Sequence, residues 1–430
     1  MIVAILIGVL VVLLILGIPA VFALGVSSVL YLAVTRGIDA IPSAVVAQRI
    51  LYGMDSFALL ALPLFLFVGR LMNESGVTNR LFGFAKALVG HFRGGLAHVN
   101  VLASLIFAGM SGAATADAAG LGAIEIKAMR EAGYDLEFSA SVTAASSLIG
   151  PILPPSVPLV LYAILAGVSV NSLLIAGIVP GILMALALMS YVAYVAHKRQ
   201  LPVDSRHNLR DLLVSFKDAF LALLTPVILV GGILTGAFTA TEAGAVASLY
   251  AVILAVLIYR TVSWAKLYDI FRRTMMDSAI IMFILAVANL YSWLLIRARV
   301  PVFVADFIFR FSDNYWVVIS LVILFLLFMG CFVSAIVTIN IATPVLVPLI
   351  KAAGGDPLHF GIIMVVTLMI GELTPPFGMV LFAITRVTDI PFERLVRSVA
   401  PFIIPVAAVL VLLVSFPGLA TAVPNWLLQR

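Results

Sequence analysis

The sequence predicts an all-α polytopic membrane protein, folded as an inverted repeat of two halves. Each half is expected to carry about five transmembrane helices and one re-entrant hairpin. Three observations lead there. Of 430 residues, 63% are hydrophobic and only 10% charged, with a mean hydropathy of +1.23, whereas soluble chains carry about 25% charge. The apolar runs have the length of membrane helices and lack the period-two alternation of a barrel strand. An unusual interrupted stretch occurs twice. Ser111–Asp117 (SGAATAD) is followed by Gly150–Pro155 (GPILPP), and Ser334–Asn340 (SAIVTIN) by Gly371–Pro376 (GELTPP).

Composition also excludes function classes. One cysteine, Cys331, allows no internal disulfide and no cysteine metal cluster, and it suits a small apolar helix position. The net charge of +5 sits in loops, so it sets topology and implies no nucleic-acid partner. No G-x-x-x-x-G-K-[ST] stretch is present, which argues against an ATP-driven pump. The N-terminus is apolar from Ile2, with no basic residue before Arg36 and no clear cleavage site, and is expected to be a membrane segment.

The first half is expected over 1–196. Residues 2–17 and 19–35 form two helices parted at Gly17-Ile18-Pro19. A polar connection, 36–53, leads to a third span over 54–70. Residues 71–93, just after Arg70, mix Arg80, Lys86 and Arg93 with apolar residues, as in a helix lying in the interface. The stretch 95–130 is too interrupted for one span and is expected as a hairpin with its tip at Ser111–Asp117. A broken span, 137–166, and a full one, 172–196, follow. A cytoplasmic basic linker, 197–217, divides the chain.

The second half, 218–430, repeats the plan. It has spans near 219–238, 242–260 and 275–296, and an interfacial piece at 301–311. A hairpin near 315–350, a broken span near 358–385 and a last span near 399–418 complete it. Landmarks recur at a near-constant offset of 221–223 positions. Met54-Asp55-Ser56 matches Met276-Asp277-Ser278. Ser111, Thr115 and Asp117 match Ser334, Thr338 and Asn340. Ala132-Gly133 with Asp135 matches Ala353-Gly354 with Asp356, and Pro154-Pro155 matches Pro375-Pro376. Gly25, Ser28 and Tyr31 find weaker echoes in Gly244, Ser248 and Tyr250.

Charge supplies the orientation. The segments 70–93, 127–130, 197–217, 260–273 and 386–397 hold 18 of the 25 Lys and Arg residues, which makes their side cytoplasmic. An odd number of crossings per half then places the two copies upside down relative to each other.

The interruptions are where chemistry is expected. Unwound backbone survives at membrane depth only against protein, water or ligand. Matched interruptions in two halves point to a transporter's binding site. Broken helices expose carbonyls suited to a hard cation such as sodium, and half-helix N-termini favour an anionic group. The substrate candidates are Ser111, Gly112, Thr115, Asp117, Pro154, Pro155, Ser334, Thr338, Asn340 and Thr374. The sodium candidates are Ser111, Gly112, Gly150, Pro151, Ser334, Gly371, Glu372 and Thr374. Small residues over 109–122 alone could equally serve close helix packing, and one Pro-Pro pair alone could be a kink. Recurrence favours a site. A carboxylate at the bilayer centre costs about 2.5–3.5 kcal/mol on insertion scales, so each acid needs a reason. Asp117 and Glu372 have either a site or proton-linked role or a structural hydrogen-bonding one. Asp55 and Asp277 are expected to cap helices, Glu125 to be interfacial beside Lys127 and Arg130, and Glu242 to close a capping arrangement with Thr239.

Five stretches resemble the large membrane subunit of tripartite ATP-independent periplasmic (TRAP) transporters of the DctM/SiaM type. They are GMDSFALLALPLFLFVG (53–69), RGGLAHVNVLASLIFAGMSGAATADAAGLG (93–122), GPILPPSVP (150–158), FTATEAGA (238–245) and GELTPPFGMVLF (371–382). The resemblance implies a non-enzymatic secondary transporter in the bacterial inner membrane, driven by sodium as coupling ion. No organic cofactor is implied. It implies scaffold and elevator-type transport regions, with both hairpins on the moving part. It also implies two protein partners, a small four-helix membrane subunit (DctQ/SiaQ type) and a periplasmic substrate-binding protein (DctP/SiaP type). The substrate would be a small organic acid, a C4-dicarboxylate, a sialic acid or a similar carboxylate. By position, the two tips and two breaks would line the sodium and substrate sites. This chain departs from many members in carrying Ala113 for Ser and Val380 for Asn. No four extra helices flank the repeat, so the small subunit is expected as a separate chain within the same membrane lipid.

Two rival readings come from other classes. Gly109–Gly112 spells the GxSG of a serine protease, but His91, His98, His197, His207 and His359 all fall in loops or near span ends, away from Ser111. A stand-alone carboxylate carrier of similar design is separated only by the family motifs.

Overall fold

Helices form almost everywhere that the sequence is continuously apolar, and they stop at glycine and proline. The computed structural model describes residues 2–203 and 208–428. Among these, the only extended pairing is one bridge between Arg93 and Val203. Eight of the described helices are long and apolar enough to cross a membrane, as an all-α polytopic membrane protein requires.

The first half begins with α1 (Ile2–Ile15) and α2 (Ala20–Arg36), parted where Gly17 takes a positive φ and Pro19 precedes α2. Next come α3 (Ser43–Tyr52), α4 (Ala61–Glu74) and α5 (Val77–Val89). The hairpin is α6 (Gly95–Ser111), α7 (Ala114–Ala119) and α8 (Leu121–Glu131). The broken span is α9 (Leu136–Ser146) and α10 (Val157–Ala166), followed by α11 (Val170–Ala176) and α12 (Ile178–Lys198).

The second half runs α13 (Leu209–Leu234), α14 (Ala240–Val252), α15 (Trp264–Arg297) and α16 (Val300–Phe309). Its hairpin is α17 (Tyr315–Phe332) and α18 (Ala335–Ala352), and its broken span α19 (Pro357–Glu372) and α20 (Met379–Thr388). The chain closes with α21 (Phe392–Ser415) and α22 (Gly418–Leu428).

Local chemistry repeats between the halves. Gly133 and Gly354 each turn with φ +84. Two residues later Asp135 and Asp356 cap α9 and α19, accepting from Phe138 N–H and Leu358 N–H. Both Pro-Pro bonds, 154–155 and 375–376, are cis. The packing exchanges partners: α4 lies on α14 while α15 lies on α2, and α10 lies on α18 while α20 lies on α7. Glu242 closes a capping box, its carboxylate accepting from the Thr239 N–H at 2.8 Å.

Several expectations need correction. The polar connection 36–53 contains α3. Within 71–93, α5 buries Val77, Leu81 and Ala85 and packs on α6 and α13. The linker 197–217 is shorter, since α13 starts at Leu209, where the Asp211 carboxylate accepts from the Asn208 N–H. Arg206 and His207 of that linker, and Arg430, lie outside the described residues. The arms of the second hairpin are 18 residues each, about 27 Å at 1.5 Å per residue. A last helix, α22, was not expected.

Asp55 and Asp277 do not cap equivalent helices. In the first half Gly53 ends α3, and Met54-Asp55-Ser56 is non-helical before a short 3-10 turn over Phe57–Leu60. In the second half the corresponding residues are helical and α15 runs unbroken for 34 residues. Asp277 instead pairs with Arg70 of α4, and Lys266 pairs with Glu74 at 2.8 Å, so α4 and α15 are cross-linked antiparallel. The glycine is required by its neighbour. A side chain at Gly53 would come within 2.9 Å of Ala286 Cα and the Leu285 carbonyl oxygen of α15.

Gly53→Leu is therefore expected to destabilise the detergent-solubilised protein by about 1–3 kcal/mol, the usual effect of overpacking. A thermal-unfolding midpoint equal to that of the unsubstituted protein would contradict this contact.

Candidate functional site

Each hairpin tip docks on the break of its own half. In the first half α6 ends at Ser111 and Gly112 turns with φ +66. Gly112 meets the non-helical run after α9, where a side chain would stand 2.3 Å from the Pro155 carbonyl oxygen. The Ser111 hydroxyl donates to Asp117 Oδ1. The other oxygen, Asp117 Oδ2, lies against Gly150, 2.5 Å from where a side chain would begin, and has no hydrogen-bond partner. Ser156 finishes the break. Its hydroxyl donates to the Pro151 carbonyl and accepts from Leu159 N–H, which starts α10. Pro151, Pro154, Pro155 and Ser156 are buried, and Thr115 is half-buried.

The second half uses the same docking with the acid on the opposite partner. Ser334 occupies the N-cap of α18 but makes no side-chain cap bond. Glu372, from the break, supplies it instead: Oε1 accepts from Ala335 N–H at 3.1 Å. The Cys331 carbonyl accepts from Phe377 N–H at 3.2 Å and Gly378 N–H at 3.4 Å, tying tip to break. Gly371 touches Gly330 so closely that a side chain would reach 2.7 Å from its Cα. Thr374 donates to the Ile370 carbonyl at 2.7 Å. Behind the tip, Thr338 and Asn340 are fully buried. Asn340 Nδ2 donates to the Ile336 carbonyl at 2.7 Å, while Thr338 Oγ1 and Asn340 Oδ1 have no partner.

The candidate residues thus gather into two junctions, each built from one tip, one break and one carboxylate. Packing of α10 on α18 and of α20 on α7 joins each junction to the other half. They differ in exposure: Pro154-Pro155 is buried, while Pro375, Pro376 and Phe377 are exposed. The protease pattern fails on geometry, because Ser111 donates to an aspartate. His98 lies on the Gly94 carbonyl and His359 on the Leu413 carbonyl.

Two features escaped the sequence reading. Gly120 interrupts the returning arm between α7 and α8 and lies against the Asn73 amide of α4, 2.2 Å from where a side chain would begin. Glu125, expected at the interface, is instead fully buried and both its oxygens lack a partner. The signal was its register: Leu121, Gly122, Glu125 and Met129 share one face of α8, and all are buried.

Comparison with known proteins identifies the family. The family model of the tripartite ATP-independent periplasmic transporter, DctM component, matches residues 7–419. The chain is 45% identical to the sialic acid TRAP transporter large permease protein SiaM of Vibrio cholerae, covering 88% of this chain and 89% of that one. It is 38% identical to the C4-dicarboxylate TRAP transporter large permease protein DctM of Pseudomonas aeruginosa, covering 87% of each. Among solved structures it resembles the YdaH transporter of Alcanivorax borkumensis, with a TM-score of 0.64 at 14% identity over 89% of this chain and 90% of that one. That likeness concerns fold alone. The chain therefore belongs to the tripartite ATP-independent periplasmic transporters, as their DctM component, the large membrane permease.

Proposed function

We propose that this permease imports a small organic acid, a sialic acid or a C4-dicarboxylate-like carboxylate, in symport with sodium. The sialic acid and C4-dicarboxylate permeases among its relatives support the acid class. The one observation that carries the sodium reading is the pair of tip–break junctions, in which non-helical backbone and neutral oxygens lie together within apolar helices. Thr338 Oγ1 and Asn340 Oδ1, buried without partners, have the chemistry of hard-cation ligands. Sodium would be held by tip and break oxygens at Ser111, Gly112, Gly150 and Pro151 in one half and at Ser334, Gly371, Glu372 and Thr374 in the other. The substrate carboxylate would lie between the halves, where α7 meets α20 and α10 meets α18.

The halves would be inverted in the inner membrane with the central linker cytoplasmic, in keeping with the charge distribution. The two junctions and the half-helices that join them would move as one body against α2, α4, α14 and α15, an elevator motion. A small four-helix subunit would pack beside the permease, and a periplasmic binding protein would deliver the acid.

In proteoliposomes holding permease, small subunit and cognate binding protein, uptake of the labelled acid is expected only with sodium outside. Full-rate uptake in potassium would refute the coupling, and uptake persisting without the binding protein would favour a stand-alone carrier.

Thr338→Val and Ser334→Ala are expected to reduce uptake on the order of tenfold each, a loss of about 1.4 kcal/mol, with unchanged yield of folded protein. Unaltered kinetics in both would remove the second tip from the site.

A further inference from the structure

A large apolar crevice lies outside the proposed transport site. It has a volume of about 840 Å³ and opens between α1, α15, α16, α17 and α18. Pockets that hold ligands span about 300–1,000 Å³. Its walls come from two separate hydrophobic cores. Leu10, Tyr291 and Leu295 belong to the core around α1, α2 and α15, and Val322 and Leu346 to the main one. The crevice is the seam between them. Its only hydroxyl, that of Tyr291, donates to the Leu6 carbonyl at 3.4 Å. The wall therefore offers an occupant hydrocarbon and nothing else.

Depth and charge select the occupant. Along α17 the wall runs from Val317 to Met329, about 18 Å at 1.5 Å per residue. That is close to one leaflet, half of a hydrocarbon core about 30 Å thick. Both ends of α16 carry the chemistry of the membrane–water boundary. Near the end of α15, Trp293 has the guanidinium groups of Arg49 and Arg297 each 5.4 Å from its ring centre. At the other end, α17 opens on Tyr315-Trp316, and such aromatic residues gather at the headgroup level. Arg299 and Arg310 flank α16, each next to a wall residue, Val300 and Phe311. They lie about three helical turns apart and so on one flank. Both are exposed, and among the described residues neither forms an ion pair, not even with Asp306 of the same helix. A matching crevice of about 540 Å³ lies between α6, α12 and α13. Its wall residues Ile106 and Val230 match Met329 and Ile7 of the larger one at the 223-position offset of the hairpin tips. A cavity kept in both copies of the repeat belongs to the fold and is no local packing fault.

We infer that the larger crevice is a binding site for an anionic phospholipid. An acyl chain lies in the seam against α17 and α18, and the headgroup phosphate meets Arg299 and Arg310 on the rim. The lipid fills the space beside the contacts of α18 with α15 and α16, and so joins the second hairpin to the core of α1, α2 and α15. The inference is independent of the coupling ion and of the acid carried.

The test uses the permease with its small subunit in nanodiscs doped with phosphatidylglycerol that carries a photoreactive group at the end of one acyl chain. After irradiation, peptide mapping by mass spectrometry is expected to find the label concentrated in α17 and α18. A phosphatidylcholine probe with the same chains is expected to label these peptides far less. Arg299→Gln and Arg310→Gln should each lower the phosphatidylglycerol label about fivefold, the factor that one basic residue near a membrane surface adds to anionic-lipid binding. Equal labelling by the two probes, or label spread evenly over all lipid-facing helices, would overturn the inference even if neither variant folded. Labelling of α17 and α18 in the permease alone, lost when the small subunit is present, would give the crevice to that subunit and overturn it as well.

Discussion

Backbone N–H and C=O groups cannot be left bare among apolar helices, and the architecture follows from how this chain meets that demand. Each half opens its backbone twice, at a tip and at a break, and then presses the two openings together. In the first half Gly112 reaches the Pro155 carbonyl. In the second the Cys331 carbonyl takes the N–H groups of Phe377 and Gly378. Neither opening would be tolerable alone. Together they give pre-formed polar ground surrounded by Leu, Ile, Val and Ala, which is the setting in which a small ion can be stripped of water and still be bound.

A carboxylate anchors each junction, yet from opposite sides. Asp117 comes from the tip and takes the Ser111 hydroxyl, whereas Glu372 comes from the break and caps α18. The position matching Asp117 is Asn340, and the one matching Glu372 is Pro151. The count of one acid per junction is kept while its location is exchanged. What is held constant is one carboxyl group per junction, and not the residue at a given place in the repeat. Through α10 on α18 and α20 on α7, each junction is packed against an element of the other half.

Much of this was legible in the sequence for a physical reason. Gly, Ser and Pro within long apolar runs have no bland explanation at membrane depth, so Ser111–Asp117, Gly150–Pro155 and their counterparts announced themselves. Side-chain direction was less legible. Lys127 and Arg130 suggested that Glu125 was at the interface, but two and five residues on, a helix has turned about 200° and 500°, and both basic residues point away from the buried face. The Asp55–Asp277 match misled because it repeats letters without repeating the glycine before them. Short elements were missed where length gave no signal, α3 with 10 residues and α22 with 11. The start of α13 was readable, since Asn208 and Asp211 carry a capping signature that the basic character of the linker obscured.

The unbroken α15 bears on the history of the chain. Sequences born as copies stay interchangeable only while each can adopt the other's shape. Where the first half has Gly53 the second has Met275; the second half has no joint there, and the first keeps a bend that fits against a straight partner. The two segments thus have separate parts, one jointed and one straight, and a substitution tolerated in one says nothing about its twin.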